Sequence, residues 1–68
     1  MKSISGKELC KILENKGWLL KTIHGRHHVY MKAGKKERIS APVHGNKDLK
    51  MGMLKAVMKI AEIEESEL

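Results

Sequence analysis

The chain has 68 residues and a formal net charge of +6, which allows one domain (1–68) but no deep, enclosed substrate pocket. Its site must therefore lie on the surface or in a shallow cleft, where a polymer or another protein is a more natural partner than a small molecule. The single cysteine, Cys10, excludes an intrachain disulfide, no run of about 18 apolar residues predicts a membrane-spanning helix, and no apolar signal-peptide core follows Met1, so we expect a cytoplasmic protein.

The first predicted element is a helix from about Gly6 to Lys16. Ser5 and Glu8 have the spacing of a capping box, in which each side chain accepts a hydrogen bond from the backbone N–H of the other residue. An apolar stripe follows at helical spacing, formed by Leu9, Ile12 and Leu13. Gly17 is suited to the left-handed conformation that ends a helix, and Cys10 is expected to be a small buried residue of this helix.

Three short strands are predicted next, at about 18–23, 27–32 and 37–41. The connections between them are short and contain Gly25 and Gly34, which favours tight turns and an antiparallel meander. Trp18 is expected in the core at the start of the first strand. Pro42 ends the third strand or marks it as an edge strand.

The second strand alternates in character, so neighbouring side chains should point to opposite faces of the sheet. Val29 and Met31 would share one face, while Tyr30 would lie on the other. If the face of Tyr30 is the open one, its ring could stack on a nucleobase. By the same parity the rings of His27 and His28 diverge and are not expected to act as a pair.

After a polar loop at 43–48, a second helix is predicted from about Leu49 to Ile63, with Gly52 weakening its start. The acidic tail, Glu64 to Leu68, is expected to be frayed. Each helix has one apolar stripe, so both should pack on one face of the sheet. We therefore predict an α+β fold of order α-β-β-β-α, with a three-stranded antiparallel sheet and two helices on one face, as in the double-stranded RNA-binding domain.

Positive charge is concentrated in the middle of the chain, where Glu37 and Asp48 are the only acids between Lys21 and Lys59. Such a region favours a polyanionic partner through counterion release and steering. The alternative is a solvated basic face that keeps the protein soluble. The candidate cations near the histidine-rich segment are Arg26, Lys32, Lys35, Lys36 and Arg38.

Three of the four histidines lie in the pentapeptide His24-Gly25-Arg26-His27-His28. Histidine exchanges a proton near neutral pH, and RNA carries its own nucleophile, the 2′-hydroxyl. Cleavage then needs a base, an acid and cations for the phosphate. No acid or cysteine accompanies these histidines and cations surround them, so we expect no metal site. His44 stands apart in the loop, as a loop residue or as a second member of the site.

Four segments in the same order resemble the HicA toxin family, from Ser5 to about Ile63. They are Gly6-Lys7-Glu8-Leu9, Gly17-Trp18, Gly25-Arg26-His27-His28-Val29-Tyr30 and Pro42-Val43-His44-Gly45-Asn46-Lys47-Asp48-Leu49-Lys50. The catalytic histidine of the family's Gly-Ser-His motif falls on His27. Arg26 stands where the family commonly has a small residue, and Met53 where it often has threonine after the glycine. Within the fourth segment, Lys47 and Lys50 join the candidate RNA-binding residues.

This resemblance implies the toxin of a type II toxin–antitoxin system, with the double-stranded RNA-binding-like fold. It would be an endoribonuclease that cleaves mRNA, arrests translation and uses a histidine as general acid or base, without metal or cofactor. A HicB-type antitoxin would cover the active site. Two other functions stay open from the residues alone: a non-catalytic RNA-binding module, and a protein-interaction domain whose basic surface binds an acidic partner.

Overall fold

A computed structural model describes residues 3–68; Met1 and Lys2, where the sequence predicts no signal peptide, lie outside the described residues. The elements, in chain order, are α1 (Gly6–Asn15), β1 (Leu19–His24), β2 (His27–Met31), β3 (Ile39–Pro42), α2 (Met51–Ala61) and a short 3-10 helix (Glu65–Glu67). The strands form one antiparallel sheet in the order β1-β2-β3. The predicted α-β-β-β-α order and α+β class are confirmed.

Helix α1 begins and ends as the sequence predicts. The Ser5 hydroxyl accepts a hydrogen bond from the Glu8 N–H at 3.2 Å, and the Glu8 carboxylate accepts one from the Ser5 N–H at 3.2 Å. This reciprocal capping box satisfies two N–H groups that would otherwise lack a partner. Gly17 follows the helix with φ +94°, a left-handed conformation that glycine adopts at little cost.

Both helices share one hydrophobic core with one face of the sheet. Tyr30 of β2 is the cross-strand partner of Ile39 of β3, so the two side chains point to the same side. They are buried together with Leu9 and Leu13 of α1 and Leu54 of α2. The helices therefore cover this face, which we call the helix face, and leave the other, the open face, uncovered.

Two residues that the sequence assigns to the core are indeed buried. Trp18 is 1% exposed, and its Nε1 is a buried nitrogen with no hydrogen-bond partner among the described residues. Cys10 is a free, buried thiol. Burial raises the pKa of this thiol, because desolvation disfavours the thiolate, so Cys10 behaves as a small apolar residue.

The suggestion that Tyr30 lies on the open face and stacks a nucleobase is wrong. The alternation along β2 is as predicted, and the structure decides which face is which: Tyr30 is 1% exposed on the helix face, and Val29 and Met31 are half-buried on the open face. The Tyr30 hydroxyl donates a hydrogen bond to the Glu14 carboxylate at 2.8 Å. Burial, together with hydrogen bonds to Cys10 and Glu14, raises the pKa of Tyr30.

Two elements begin later than the sequence predicts. Strand β3 starts at Ile39, where its pairing with Tyr30 begins, and the chain before it makes a turn closed by a 3.1 Å hydrogen bond from the Lys35 N–H to the Lys32 carbonyl. Helix α2 starts at Met51 and has no side-chain cap; Leu49 stays outside it, and its N–H donates to the Ile4 carbonyl. Among the described residues, no helix is both long and apolar enough to cross a bilayer.

Where the sequence predicts a frayed acidic tail, the structure has the short 3-10 helix. The Glu67 carboxylate lies 2.7 Å from the Lys16 ammonium and also accepts a hydrogen bond from the Glu64 N–H at 2.9 Å. These two contacts, the Glu64 N–H first, lower the pKa of Glu67. Leu68 packs against the core, so an apolar end and an ion pair fix a segment whose composition alone indicates disorder.

Candidate nucleic-acid interface

His27 is the first residue of β2, and its exposed side chain lies on the open face of the sheet. It follows a tight turn of two residues, Gly25 and Arg26, in which Gly25 has φ +60°. Cross-strand pairing places His27 opposite His24 of β1 and opposite Pro42 of β3. Directly paired residues have Cβ atoms about 5 Å apart on the same face, so these three side chains form one short row at the end of the sheet.

The neighbour His24 is a residue that the sequence prediction missed. The predicted first strand ends at residue 23 and leaves His24 in the connection, whereas His24 is the last residue of β1 and exposed beside His27. A two-residue hairpin loop makes its flanking residues direct partners. The spacing His-Gly-Arg-His was therefore the feature that could have revealed this pair.

His28 is separated from this row, as predicted. Its cross-strand partners are Ile23 and Ala41, and Ala41 belongs to the core of the helix face. The half-buried ring of His28 thus lies on the side of the sheet opposite to His27.

Arg26 connects the β1–β2 turn to the loop after β3 by two contacts. Its carbonyl accepts a hydrogen bond from the Val43 N–H at 2.7 Å, and its guanidinium Nη1 lies 3.0 Å from His44 Nδ1. Because a guanidinium only donates, His44 Nδ1 is the acceptor, and the proton of the neutral ring is then on Nε2. The structure therefore brings His44 to the same end of the sheet as His27, through Arg26.

The N-terminal segment holds the loop that carries His44 and the start of α2. The Leu49 N–H donates to the Ile4 carbonyl at 2.8 Å, Ser5 forms an isolated β-bridge with Asp48, and the Ser3 hydroxyl donates to the Asp48 carboxylate at 3.1 Å. A polar loop of this length would otherwise be free to move. These contacts give it a defined position beside the sheet.

A shallow depression of about 240 Å³ opens between this loop and α2, lined by Pro42, His44, Lys47, Asp48, Leu49, Lys50 and Met53. Pro42 is the cross-strand partner of His27, so the depression adjoins the row of side chains on the open face. Lys47 and Lys50 are exposed and bring positive charge to its walls. Together with Arg26, which directly precedes His27, three of the predicted cations therefore lie at this end of the sheet.

The other predicted cations lie elsewhere. Strand β2 runs from His27 to Met31, and at about 3.3 Å per residue its far end is roughly 13 Å from His27. Beyond that end, in the β2–β3 connection, are Lys32, Lys35, Lys36 and Arg38. Lys35 lies 3.4 Å from the Glu62 carboxylate. The structure thus forms two basic groups, one at each end of β2, instead of one cluster.

Within residues 3–68, no group of three or more histidine, cysteine, aspartate or glutamate side chains is arranged to hold a metal ion. The polar side chains at this end of the sheet are the imidazoles of His24, His27 and His44, the guanidinium of Arg26 and, in the depression, two ammonium groups and the Asp48 carboxylate.

Comparison with known proteins gives one result that covers most of the chain. The family described as the HicA toxin of bacterial toxin–antitoxin systems matches residues 6–63. The match includes both helices, all three strands and the loop with His44. No curated protein matches the chain.

Proposed function

Because the chain belongs to the HicA toxin family of bacterial toxin–antitoxin systems, we propose that it is a toxin that cleaves RNA, with His27 as general acid or base. The observation that carries this proposal is the position of His27: exposed on the open face, directly beside His24 and Pro42, and preceded by Arg26. A polymer can reach an imidazole there without entering a cavity.

The reaction needs two proton transfers. As the 2′-hydroxyl oxygen attacks phosphorus, a base removes the hydroxyl proton; as the bond from phosphorus to the 5′ oxygen breaks, an acid protonates that oxygen. His27 performs one of these transfers. We assign the other to His24, since it is the titratable side chain paired directly with His27 on the same face. His44 is the second candidate, and its Nε2–H is a donor for a phosphate oxygen.

The cations have separate tasks in this proposal. Arg26 lies next to His27 and supplies charge where negative charge develops on the phosphate. Lys47 and Lys50 contact the RNA backbone along the depression. The second basic group, formed by Lys32, Lys35, Lys36 and Arg38, contacts the same strand farther from the scissile bond. No metal or cofactor is needed for these steps.

In the cell, this activity would be directed at mRNA in the cytoplasm and would arrest translation. Within residues 3–68 no segment covers His27, whose side chain is exposed, so we expect inhibition to come from another protein. We therefore propose that the antitoxin of the system, of the HicB type, covers His27 and the cations around it.

The test compares His27→Ala with His28→Ala. The two residues are adjacent and identical, but His28 lies on the helix-face side of the sheet, so it is a matched control. We expect His27→Ala to lower the rate of cleavage of a defined mRNA by about 10²–10⁴-fold, the range for loss of a general acid or base, and His28→Ala to leave it near the parental rate. Circular dichroism verifies that both variants are folded.

His24→Ala and His44→Ala extend the same experiment to the second proton transfer. The variant that lacks the group responsible for the second proton transfer should lose one limb of the pH–rate profile. A variant that lacks only a phosphate-binding group should bind RNA more weakly and keep both limbs. A folded His27→Ala that cleaves at the parental rate would refute the assignment. Retention of RNA by the parent protein without any scission would instead favour the non-catalytic RNA-binding module.

A further inference from the structure

Strand β1 is an edge strand whose side chains are all exposed. Three of them are large and apolar: Leu19 is 63% exposed, Leu20 43% and Ile23 55%. Edge strands of stable monomers are usually covered or protected by charge, because their free N–H and C=O groups pair readily with another chain. Lys21 and the irregular pairing between Leu20 and Thr22 protect this edge only in part.

The apolar side chains of β1 lie on both faces of the sheet. Leu19 pairs with Met31 and so points to the open face, whereas Leu20 pairs with Tyr30 and Ile23 with His28, on the helix face. A partner that packs flat on one face would bury one set and leave the other in water. A strand added in the plane of the sheet, with side chains on both faces, buries both sets.

On the open face, next to β1, the structure also has a shallow cavity of a size that suits one side chain. A shallow cavity of about 250 Å³ is lined by Leu19, Lys21, Met31, Lys32 and Ala33. Apolar groups form part of its lining, and the two lysines supply its charge. The cavity is complementary to an apolar side chain that has acidic neighbours.

We propose that β1 is the docking edge for the antitoxin, which adds an extended segment with apolar residues on both faces and acidic residues near Lys21 and Lys32. This proposal rests on membership of a toxin–antitoxin family and not on the ribonuclease activity. A second copy of this chain is a poor occupant, because each copy carries a net charge of +6 and would bring its own Lys21 to the edge.

An antitoxin held at β1 would be close to the candidate site. The strand ends at His24, which is paired with His27, and neighbouring strands are about 4.8 Å apart. A segment on the free edge of β1 therefore lies two strand spacings from β2, within reach of the open face. A side chain of this segment that enters the cavity would also contact Lys32, one of the cations assigned to RNA.

The test uses the toxin and the antitoxin encoded by the adjoining reading frame, both as full chains. Leu19→Thr/Ile23→Thr removes apolar surface from both faces and keeps residues suited to a strand. Met51→Thr, at a 38% exposed apolar residue in α2, is the matched control. We expect the double variant to bind the antitoxin at least 10-fold more weakly, as burial of an apolar side chain implies, and the control to bind within about twofold of the parent.

Hydrogen exchange supplies a measurement that does not depend on mutation. The backbone amides of β1 should become protected when the antitoxin binds. Equal exchange of β1 in the free and bound toxin would overturn the proposal, as would unchanged affinity of a folded double variant. If the parent toxin sediments as a dimer and the double variant as a monomer, the proposal would be overturned, and β1 would be a surface for self-association. Without antitoxin, the double variant should cleave RNA at the rate of the parent. A loss of antitoxin binding can then be distinguished from a failure of the catalytic assignment of His27.

Discussion

Replacement of Gly6 by alanine should destabilise the protein, although alanine normally stabilises a helix. A Cβ atom at Gly6 would overlap the carbonyl oxygen of Pro42, and it would lie 3.0 Å from the Pro42 carbonyl carbon and 3.1 Å from the Val43 Cα. All three are backbone atoms, so no side-chain rotation can relieve the contact. Either the start of α1 or the end of β3 has to move.

The magnitude follows from two opposing contributions. The higher helix propensity of alanine is worth up to about 1 kcal/mol, whereas overpacking of a tight contact typically costs about 1–3 kcal/mol. We expect the free energy of unfolding to fall by about 1–2 kcal/mol. For a chain of this size, each kcal/mol shifts the Tm by about 4–8 °C, so the Tm should fall by roughly 5–15 °C.

Gly52→Ala is the matched control for thermal unfolding followed by circular dichroism. Gly52 also lies in the first turn of a helix, but a Cβ atom there meets nothing within 4 Å. Its Tm should rise, by an amount that corresponds to about 0.5–1 kcal/mol. If Gly6→Ala were as stable as Gly52→Ala, the close packing of α1 on Pro42 would be disproved. Because Pro42 is the partner of His27, we also expect Gly6→Ala to slow RNA cleavage at temperatures where it is folded.

Two further predictions concern hydrogen-bonded side chains. Tyr30→Phe removes the donor to Glu14 and should lower the free energy of unfolding by about 1 kcal/mol, without loss of RNA cleavage. Since the folded pKa of Tyr30 is raised, its contribution is complete below its unfolded pKa of about 10 and is lost at higher pH, so parent and variant should converge in alkaline urea titrations. The pKa of Glu67 is lowered, so its stabilising effect is present above about pH 4.5 and is lost as the pH falls. The Tm difference between the parent and Glu67→Gln should therefore vanish in acid, and a difference that grows in acid would contradict the pairing with Lys16.

The parts of the fold that were predictable from the sequence depend on local interactions. The capping box of Ser5 and Glu8 and the glycine at 17 are read within one or two turns of chain, and the structure reproduces both. The alternation of β2 is equally local. The alternation alone could not say which face the helices cover, since that depends on where α1 and α2 pack, so the sequence left open whether Tyr30 would be buried or exposed.

In the candidate site, too, local features were predictable and contacts between distant residues were not. His27 was found through its motif and its position on a strand, whereas the partnership with His24 depends on the exact length of the turn. The acidic tail was predicted to fray because its composition is polar. Its order depends on Lys16, far away in sequence, and on the apolar side chain of Leu68. Contacts of this kind are invisible to a window of neighbouring residues.

Arg26 shows both what its neighbours in the sequence predict and what a contact with a distant residue adds. It directly precedes His27, the proposed catalytic residue, and by composition alone it would count as one more cation for RNA. In the structure its carbonyl binds the Val43 N–H and its guanidinium meets His44, so it joins the β1–β2 turn to the loop after β3. The side chain is fixed at a point that adjoins both His27 and the depression. An arginine held in this way offers a phosphate a charge that is already oriented, and it loses less side-chain entropy on binding than a free surface lysine would.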